Sequence, residues 1–260
     1  MNDCRLYTLA AFPCGETGGN PAGVWIGDEL PPPAEMQAIA ADVGASETAF
    51  VAPASGSRRT VRYYSPEVEV PFCGHATIAT GVVLGRRDGE GNYTLDTRAG
   101  EIDVTARTNN GAMTATFRSV ATEQAPIADA TLQEALDCLG WSCDDLDPSL
   151  PPVNAFAGAW HLVIAVRSKQ LLDALDYDFE RLKALMKQED LTTLQLVWRE
   201  GESLFHSRNP FPVGGVTEDP ATGAAAAALA GYLRDRGIVE APSSVRVLQG
   251  QVINLSLIHI

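Results

Sequence analysis

Glu69-Val70-Pro71-Phe72-Cys73-Gly74-His75-Ala76-Thr77-Ile78-Ala79 and Glu218-Asp219-Pro220-Ala221-Thr222-Gly223-Ala224-Ala225-Ala226-Ala227-Ala228 are two copies of one pattern. Both match Glu-x-Pro-x-x-Gly-x-Ala-x-x-Ala, at a fixed offset of 149 residues (69 to 218). Leu84 and Leu233 keep the offset. Upstream, Arg62-x-x-x-Pro66 is echoed by Arg208-x-x-x-Pro212, a few residues out of step. A loop-then-helix element in corresponding places of two halves predicts a duplicated, pseudo-two-fold chain. The competing reading is chance likeness between two small-residue helices.

The element has a physical use. Pro and Gly just ahead of a helix leave its first N–H groups without intrahelical partners. Those groups and the helix dipole favour an anion. Small residues let the helix be buried with its N-terminus aimed into a cleft. Two such helices could hold a carboxylate or a developing enolate. The 260-residue chain carries 19 Lys+Arg against 33 Asp+Glu, a net charge of −14. That excludes a basic nucleic-acid footprint and opposes docking on an anionic membrane. Backbone amides nonetheless allow an acidic chain to bind an acidic small molecule.

Hydrophobic residues are 45% of the chain, which fits a folded globular protein. No apolar run reaches membrane-spanning length, and the Met1-Asn2-Asp3-Cys4-Arg5 start lacks a signal-peptide pattern. Five cysteines (Cys4, Cys14, Cys73, Cys138, Cys143) are too sparse for a disulfide scaffold, so a reduced, cytoplasmic protein is expected. Periodicity predicts helices over 34–43, 75–85, 179–187 and 223–235, and another whose Thr131-Leu132-Gln133-Glu134 matches a capping box. Strands are expected over 46–52, 61–64, 92–97, 102–106, 112–117, 160–166, 194–199 and 245–248, with Asn110-Gly111 as a hairpin turn. Interspersed helices and hairpins predict an α+β fold. Domains are expected at 1–119 and 120–253. Residues 254–260 end in Leu-Ser-Leu-Ile-His-Ile, which resembles a translated sequencing adapter. They are excluded from the fold reading, and the natural chain is expected to continue.

Three groups near the two helix starts could move a proton: Glu47 on an early strand, His75 just after Gly74, and Asp219 just before Pro220. Two carboxylates and an imidazole suffice for a site where one group takes a proton and others return it. Desolvation in a closed cleft would bring a carboxylate pKa towards neutrality. Singly, each has a plainer reading: a solvated strand glutamate, or a structural histidine. Cys73 at a helix start has the lowered pKa of a candidate base. A two-thiol racemase would need a second cysteine at the matching position, which is Thr222. Cys4, Cys14, Cys138 and Cys143 lack zinc-ligand spacing and read as core or surface thiols, and His161 and His206 as structural. Gly15-Glu16-Thr17-Gly18-Gly19 lacks the residues of a phosphate-binding loop and reads as a loop ahead of Asn20-Pro21-Ala22-Gly23-Val24.

Taken together, the chain resembles the PhzF-like (phenazine biosynthesis PhzC/PhzF) isomerase family, whose fold is shared with diaminopimelate epimerase. The likeness is carried by Gly19-Asn20-Pro21-Ala22-Gly23-Val24, Ser46-Glu47-Thr48-Ala49-Phe50-Val51, Cys73-Gly74-His75-Ala76-Thr77 and Glu218-Asp219-Pro220-Ala221-Thr222-Gly223. It implies two similar domains, each a mixed or antiparallel sheet wrapped round a central helix, with the active site in the inter-domain cleft. It implies proton chemistry without cofactor or metal, on a small carboxylate-bearing substrate, often in a homodimer. The family's catalytic residues fall on Glu47, His75 and Asp219. Its substrate-binding positions fall on Asn20, Ser46, Cys73 and Gly74 in the first half and Thr222, Gly223 and Ala224 in the second. Ala224 replaces the family's usual Ser and removes a hydroxyl, which counts against dihydro-hydroxyanthranilate as substrate. The chain also lacks the family's Gly-Arg-Pro stretch after Gln249-Gly250. The alternatives to an isomerase are an amino-acid epimerase or racemase using Cys73, and a binding protein that has lost turnover.

Overall fold

The computed structural model describes residues 4–13 and 18–250, with the backbone of 257–259. The chain divides into two compact units, one formed by Met1–Pro13 with Gly19–Val120 and the other by Cys14–Gly18 with Ala121–Ile260.

The first unit is a single curled sheet. Its path is β1 (Arg5–Ala11), β2 (Asn20–Ile26), β3 (Glu47–Pro53), β4 (Arg58–Tyr64), β6 (Gly91–Thr97), β7 (Gly100–Asn109) and β8 (Ala112–Arg118), with the short β5 (Glu69–Val70) beside β4. Two pairings are parallel, β2 with β3 and β4 with β6. Each parallel step needs a crossover, and each has a helix in it. Helix α1 (Pro33–Val43) joins β2 to β3, and α2 (Gly74–Asp88) lies between β5 and β6. Proline opens α1 and Gly44 ends it in the left-handed conformation. Met36 and Ala40 of α1 bury against Phe50 and Tyr64.

Helix α2 is the centre of the unit. From Gly74 to Gly85 almost every residue is buried, and the helix packs on β1, β2, β3, β7 and β8. Its small residues set that approach. A Cβ on Gly81 would stand 2.6 Å from Val104 Cγ1 and 2.8 Å from the Ala115 methyl. Across the sheet, Gly23 allows β2 to pass Thr48, whose Oγ1 would lie 2.5 Å from a Cβ there. Strand β2 thus opens with Asn-Pro-Ala-Gly, a run with little strand propensity, because close packing selects it over propensity.

The second unit repeats the path. Its sheet runs β9 (Glu123–Ala125), β10 (Val153–Phe156), β11 (Trp160–Val166), β12 (Thr193–Arg199), β13 (Leu204–Arg208), β14 (Arg246–Gln249) and β15 (Leu257–His259). Again two pairings are parallel, β11 with β12 and β13 with β14. Helices α4 (Lys169–Asp173) and α5 (Phe179–Gln188) fill the first crossover, and α6 (Gly223–Asp235) the second. Helices α2 and α6 therefore start 149 residues apart, as the repeat requires. A further helix, α3 (Asp129–Leu139), packs with α5 against the sheet face away from α6.

Some local expectations need correction. Helix α3 begins at Asp129, so Thr131 and Glu134 lie inside it rather than forming a capping box. Glu134 instead pairs with Arg181 of α5. A capping box does form at Ser142 and Asp145, ahead of one 3₁₀ turn. The backbone of 257–259, in the segment excluded from the fold reading, pairs with β14. The other residues of that tail, and residues 15–17 of the expected loop over 15–19, lie outside the described residues.

The structure also explains the out-of-step arginine echo. Arg62 on β4 forks onto Glu69, and Arg208 on β13 forks onto Glu218. Each arginine ties a central strand to the loop that feeds the buried helix. The second pair is the more enclosed, and Arg208 Nη1 also donates to Asp173 O at 3.1 Å. A buried charge left without its partner costs roughly 3–5 kcal/mol. Glu218→Gln should therefore lower the unfolding free energy by about that amount, measured by urea denaturation. Arg208→Met/Glu218→Leu should recover most of the loss. Equal losses in the single and double variants would show that the pair does not hold this loop.

Candidate active site

In the first unit the sequence candidates converge. Glu47 is the first residue of β3 and pairs in register with Ala22 of β2. His75 is the second residue of α2, and Cys73 is the residue capping its start. Glu47 is 5% exposed, which does not fit the plain reading of a solvated strand glutamate, and His75 is 1% exposed. His75 Nε2 lies 3.5 Å from Glu47 Oε2 and 3.2 Å from Ser46 Oγ. Ser46 Oγ donates to Asn20 Oδ1 at 3.2 Å, which brings Asn20 into the same cluster. Cys73 Sγ lies 3.2 Å from His75 Nδ1 and 4.0 Å from Nε2.

The helix start is fixed from behind. Thr77 Oγ1 donates to Cys73 O at 2.7 Å, so Tyr63 OH donates to Thr77 Oγ1, also at 2.7 Å. Burial holds the Tyr63 hydroxyl well above its ordinary pKa, so it stays a neutral donor. For Glu69, burial pushes the pKa up, but hydrogen bonding and charge from Arg62, with Arg98 adding to them, hold it below the usual range. The loop ahead of α2 is therefore anchored at Glu69 and again at Cys73.

The second unit has a different polar cluster at the matching helix start. Thr222 caps α6 and donates through Oγ1 to Asp219 Oδ2 at 2.6 Å. Gln249 accepts from Thr222 N at 3.1 Å and donates to Asp219 O at 2.8 Å. Asp219 N donates to Asn209 O at 3.0 Å. The Asn209 side chain bridges to Ser207, Gln195 and Thr193, and Thr193 meets His161 Nδ1 at 2.8 Å. Asp219 is 3% exposed, and Ala224 is buried in the first turn of α6.

Strand register shows how the halves diverged. Phe50 pairs with Arg62 in the first unit, and Leu196 pairs with Arg208 in the second. Counting back three residues on each strand makes Thr193 the counterpart of Glu47. Ala22 pairs with Glu47 and His161 with Thr193, so His161 takes the place of Ala22. The first half thus carries a strand carboxylate beside its helix start. At the equivalent place the second half has a neutral hydroxyl–imidazole pair, and its carboxylate lies on the loop at Asp219. The sequence singles out Glu47, His75 and Asp219 as candidates, and the structure adds Asn209 and Gln249 to the polar cluster around Asp219. Asn209 follows the echoed Arg208, and Gln249 follows the last expected strand, 245–248, so both had a positional signal.

His161 and His206 have structural surroundings. His206 Nε2 meets Glu200 Oε2 at 2.6 Å and its ring lies against Trp198. Among the described residues, Cys4, Cys73, Cys138 and Cys143 are not joined in disulfides. No described helix is long and apolar enough to cross a membrane.

Comparison with known proteins adds a family. Residues 9–256 match the family model PhzC-PhzF, described as phenazine biosynthesis-like protein. An uncharacterized isomerase, YddE, from Escherichia coli O157:H7 is 31% identical over 252 residues, covering 95% of this chain and 84% of that protein. The trans-2,3-dihydro-3-hydroxyanthranilate isomerase of Pseudomonas fluorescens is 32% identical over 245 residues, covering 93% of this chain and 84% of that protein. Among solved structures, a predicted epimerase from Pseudomonas aeruginosa superposes with a TM-score of 0.86 at 22% identity, covering 98% of this chain and 89% of that one. This last likeness is one of fold.

Burial alone brings the His161 pKa down to about 3, against an ordinary value near 6.5. The unfolded chain therefore binds a proton that the folded chain refuses between those values. The stability this group contributes is fully present above about pH 6.5 and is lost as pH falls below it. Histidine NMR should show the His161 ring neutral throughout pH 5–8, while an exposed reference histidine titrates near 6.5. A His161 midpoint inside that range would mean that water reaches the ring.

Proposed function

We propose, for a chain that belongs to the phenazine biosynthesis-like (PhzC-PhzF) family, that this isomerase moves a proton between carbons of a small carboxylate metabolite, with Glu47 as the base and no cofactor. The observation that carries the reading is the buried Glu47–His75 contact, 3.5 Å, at the start of a buried helix.

Glu47 takes a proton from a carbon made acidic by a neighbouring unsaturation or carboxylate. The charge that develops on the substrate is favoured beside the first amides of α2, Gly74 foremost, and the positive end of the helix dipole. His75 sits within reach of the proton on Glu47 and orients or relays it. Asp219, at the matching helix start of the second half, is the candidate for returning a proton at the other carbon, with Gly223 the matching amide. Thr222 donates to Asp219 Oδ2, which orients that carboxyl group beside the start of α6. Asn20, Ser46, Cys73, Thr222 and Ala224 are proposed to line the substrate. The unequal halves support a reaction in which the two faces of the substrate are treated differently. A mirrored two-base racemase would call for like groups at Glu47 and Thr193, or at Cys73 and Thr222.

The substrate class is a small unsaturated, α-amino or α-hydroxy acid. The relative named for trans-2,3-dihydro-3-hydroxyanthranilate acts on one member of that class. Ala224, without the hydroxyl usual in the family, favours a different member for this chain. A cytoplasmic homodimer serving a biosynthetic reaction completes the reading and rests on the family likeness. One observation favours a second reading, an epimerase with Cys73 as a base: its sulfur lies 3.2 Å from His75 Nδ1. Unchanged turnover in Cys73→Ser would dismiss it.

Proton NMR in D₂O tests the base directly. A panel of such acids, including trans-2,3-dihydro-3-hydroxyanthranilate, is incubated with the enzyme and solvent deuterium incorporation is followed. Glu47→Gln should exchange ~10²–10⁴-fold more slowly than the native chain, the usual cost of losing a positioned base. Asp219→Asn should slow the full isomerisation more than the first exchange. Equal exchange in Glu47→Gln and native protein would remove Glu47 from the role. Ligand binding without any exchange would mark a binding protein.

A further inference from the structure

We infer that Glu47, Cys73 and His75 also form a zinc-binding site, and that zinc occupancy excludes proton transfer at Glu47. The second part rests on the function proposed above, whereas the first stands on geometry alone. Among the described residues, this is the one group of three or more His, Cys, Asp or Glu side chains whose donor atoms all lie within 4.8 Å of one another. All three side chains are buried, unlike the exposed acidic clusters that carry no such meaning.

The donor set selects the ion. A thiolate, an imidazole and a carboxylate are the three side-chain ligands of zinc, whereas magnesium and calcium take oxygen donors. Zinc–ligand bonds of ~2.0–2.3 Å in a tetrahedron place ligand atoms ~3.3–3.7 Å apart. Here His75 Nε2 stands 3.5 Å from Glu47 Oε2 and 4.0 Å from Cys73 Sγ. Small side-chain rotations would bring these atoms to coordination distance. Two ligands come from the rigid start of α2 and the third from the first residue of β3, so the backbone already sets their spacing. Ser46 Oγ, 3.2 Å from the same His75 Nε2 and hydrogen-bonded to Asn20, gives up its contact with the ring when that nitrogen binds the ion. Three protein ligands leave a fourth position for water or a substrate carboxylate.

Binding is a ligand exchange with a simple balance. The Cys73 S–H bond breaks, a sulfur–zinc bond forms, and the proton leaves to solvent. His75 and Glu47 each contribute a lone pair. While the ion is bound, the Glu47 lone pair that would take the substrate proton is engaged, so the site is reversibly silenced.

Cobalt(II) reports the site without any need for turnover. Titrated into the native, fully reduced chain, one equivalent should give visible d–d bands of a four-coordinate ion and a near-ultraviolet thiolate-to-cobalt band. One equivalent of zinc should abolish both. Cys73→Ser, which keeps the side chain's size, should lose the thiolate band, and His75→Gln should weaken binding by more than ~100-fold, beyond the loss of an outer-shell partner. Cys143→Ser, outside the cluster, should leave the spectrum unchanged. Circular dichroism confirms that each variant is folded, and Cys73→Ala replaces Cys73→Ser if that chain is not. No stoichiometric cobalt binding, or a thiolate band that survives removal of Cys73, overturns the site. The spectrum stands or falls independently of exchange in Glu47→Gln, so failure of the metal site and failure of the base assignment are distinguished. Where exchange is measured, equimolar zinc should stop it and a chelator restore it.

Discussion

Everything at the candidate site depends on a helix start being held rigid inside the protein. Helix termini leave backbone groups unpaired, and a buried one is costly unless something answers it. Both halves solve the approach to that start in the same way, with an arginine on a central strand gripping the glutamate that opens the Glu-x-Pro motif. The pair fixes the loop, the loop delivers Pro and Gly, and the helix begins where the chain is already anchored. Without it, the small-residue helix would have no defined end, and the groups beside that end would have no defined neighbours.

Packing then turns the anchored helix into a chemical environment. Glycine and alanine let the sheet close on α2, as Gly81 shows against Val104 and Ala115. The same closure buries Glu47 and His75, which a looser helix would leave in water. A buried carboxylate beside an imidazole is expensive to build and is kept where it has work to do. In the second half, an equivalent helix start is surrounded by amides, hydroxyls and one neutral histidine, with Asp219 moved to the loop. Duplication supplied the scaffold twice, and divergence gave each copy a different proton inventory.

Much of this was legible in the residues. Strand β11 and helix α6 begin and end where periodicity set them, and α2 begins one residue ahead of its expected start at His75. His75 and Asp219 stood out because each adjoins a Pro-x-x-Gly element, and Glu47 through Ser46-Glu47-Thr48 on an early strand. What stayed hidden was of two kinds. Strand β2 gives no strand signal in the sequence because Pro21 and Gly23 suit close passage rather than strand propensity. The capping-box match at Thr131 lost to a helix that starts two residues earlier. The partners of Asn209 and Gln249 stayed hidden despite the positions of these residues beside recognisable elements, since they depend on hydrogen bonds between strands and loops far apart in sequence.

The central claim is that the start of α2 is an anion-holding site with a proton acceptor beside it. Backbone amide NMR during titration with anthranilate, a small carboxylate, tests it most directly. The Gly74 and His75 amides should move saturably along one binding curve, and the His75 ring signals should follow the same curve. Saturable shifts confined to other parts of the chain, with Gly74 and His75 unmoved, would contradict it.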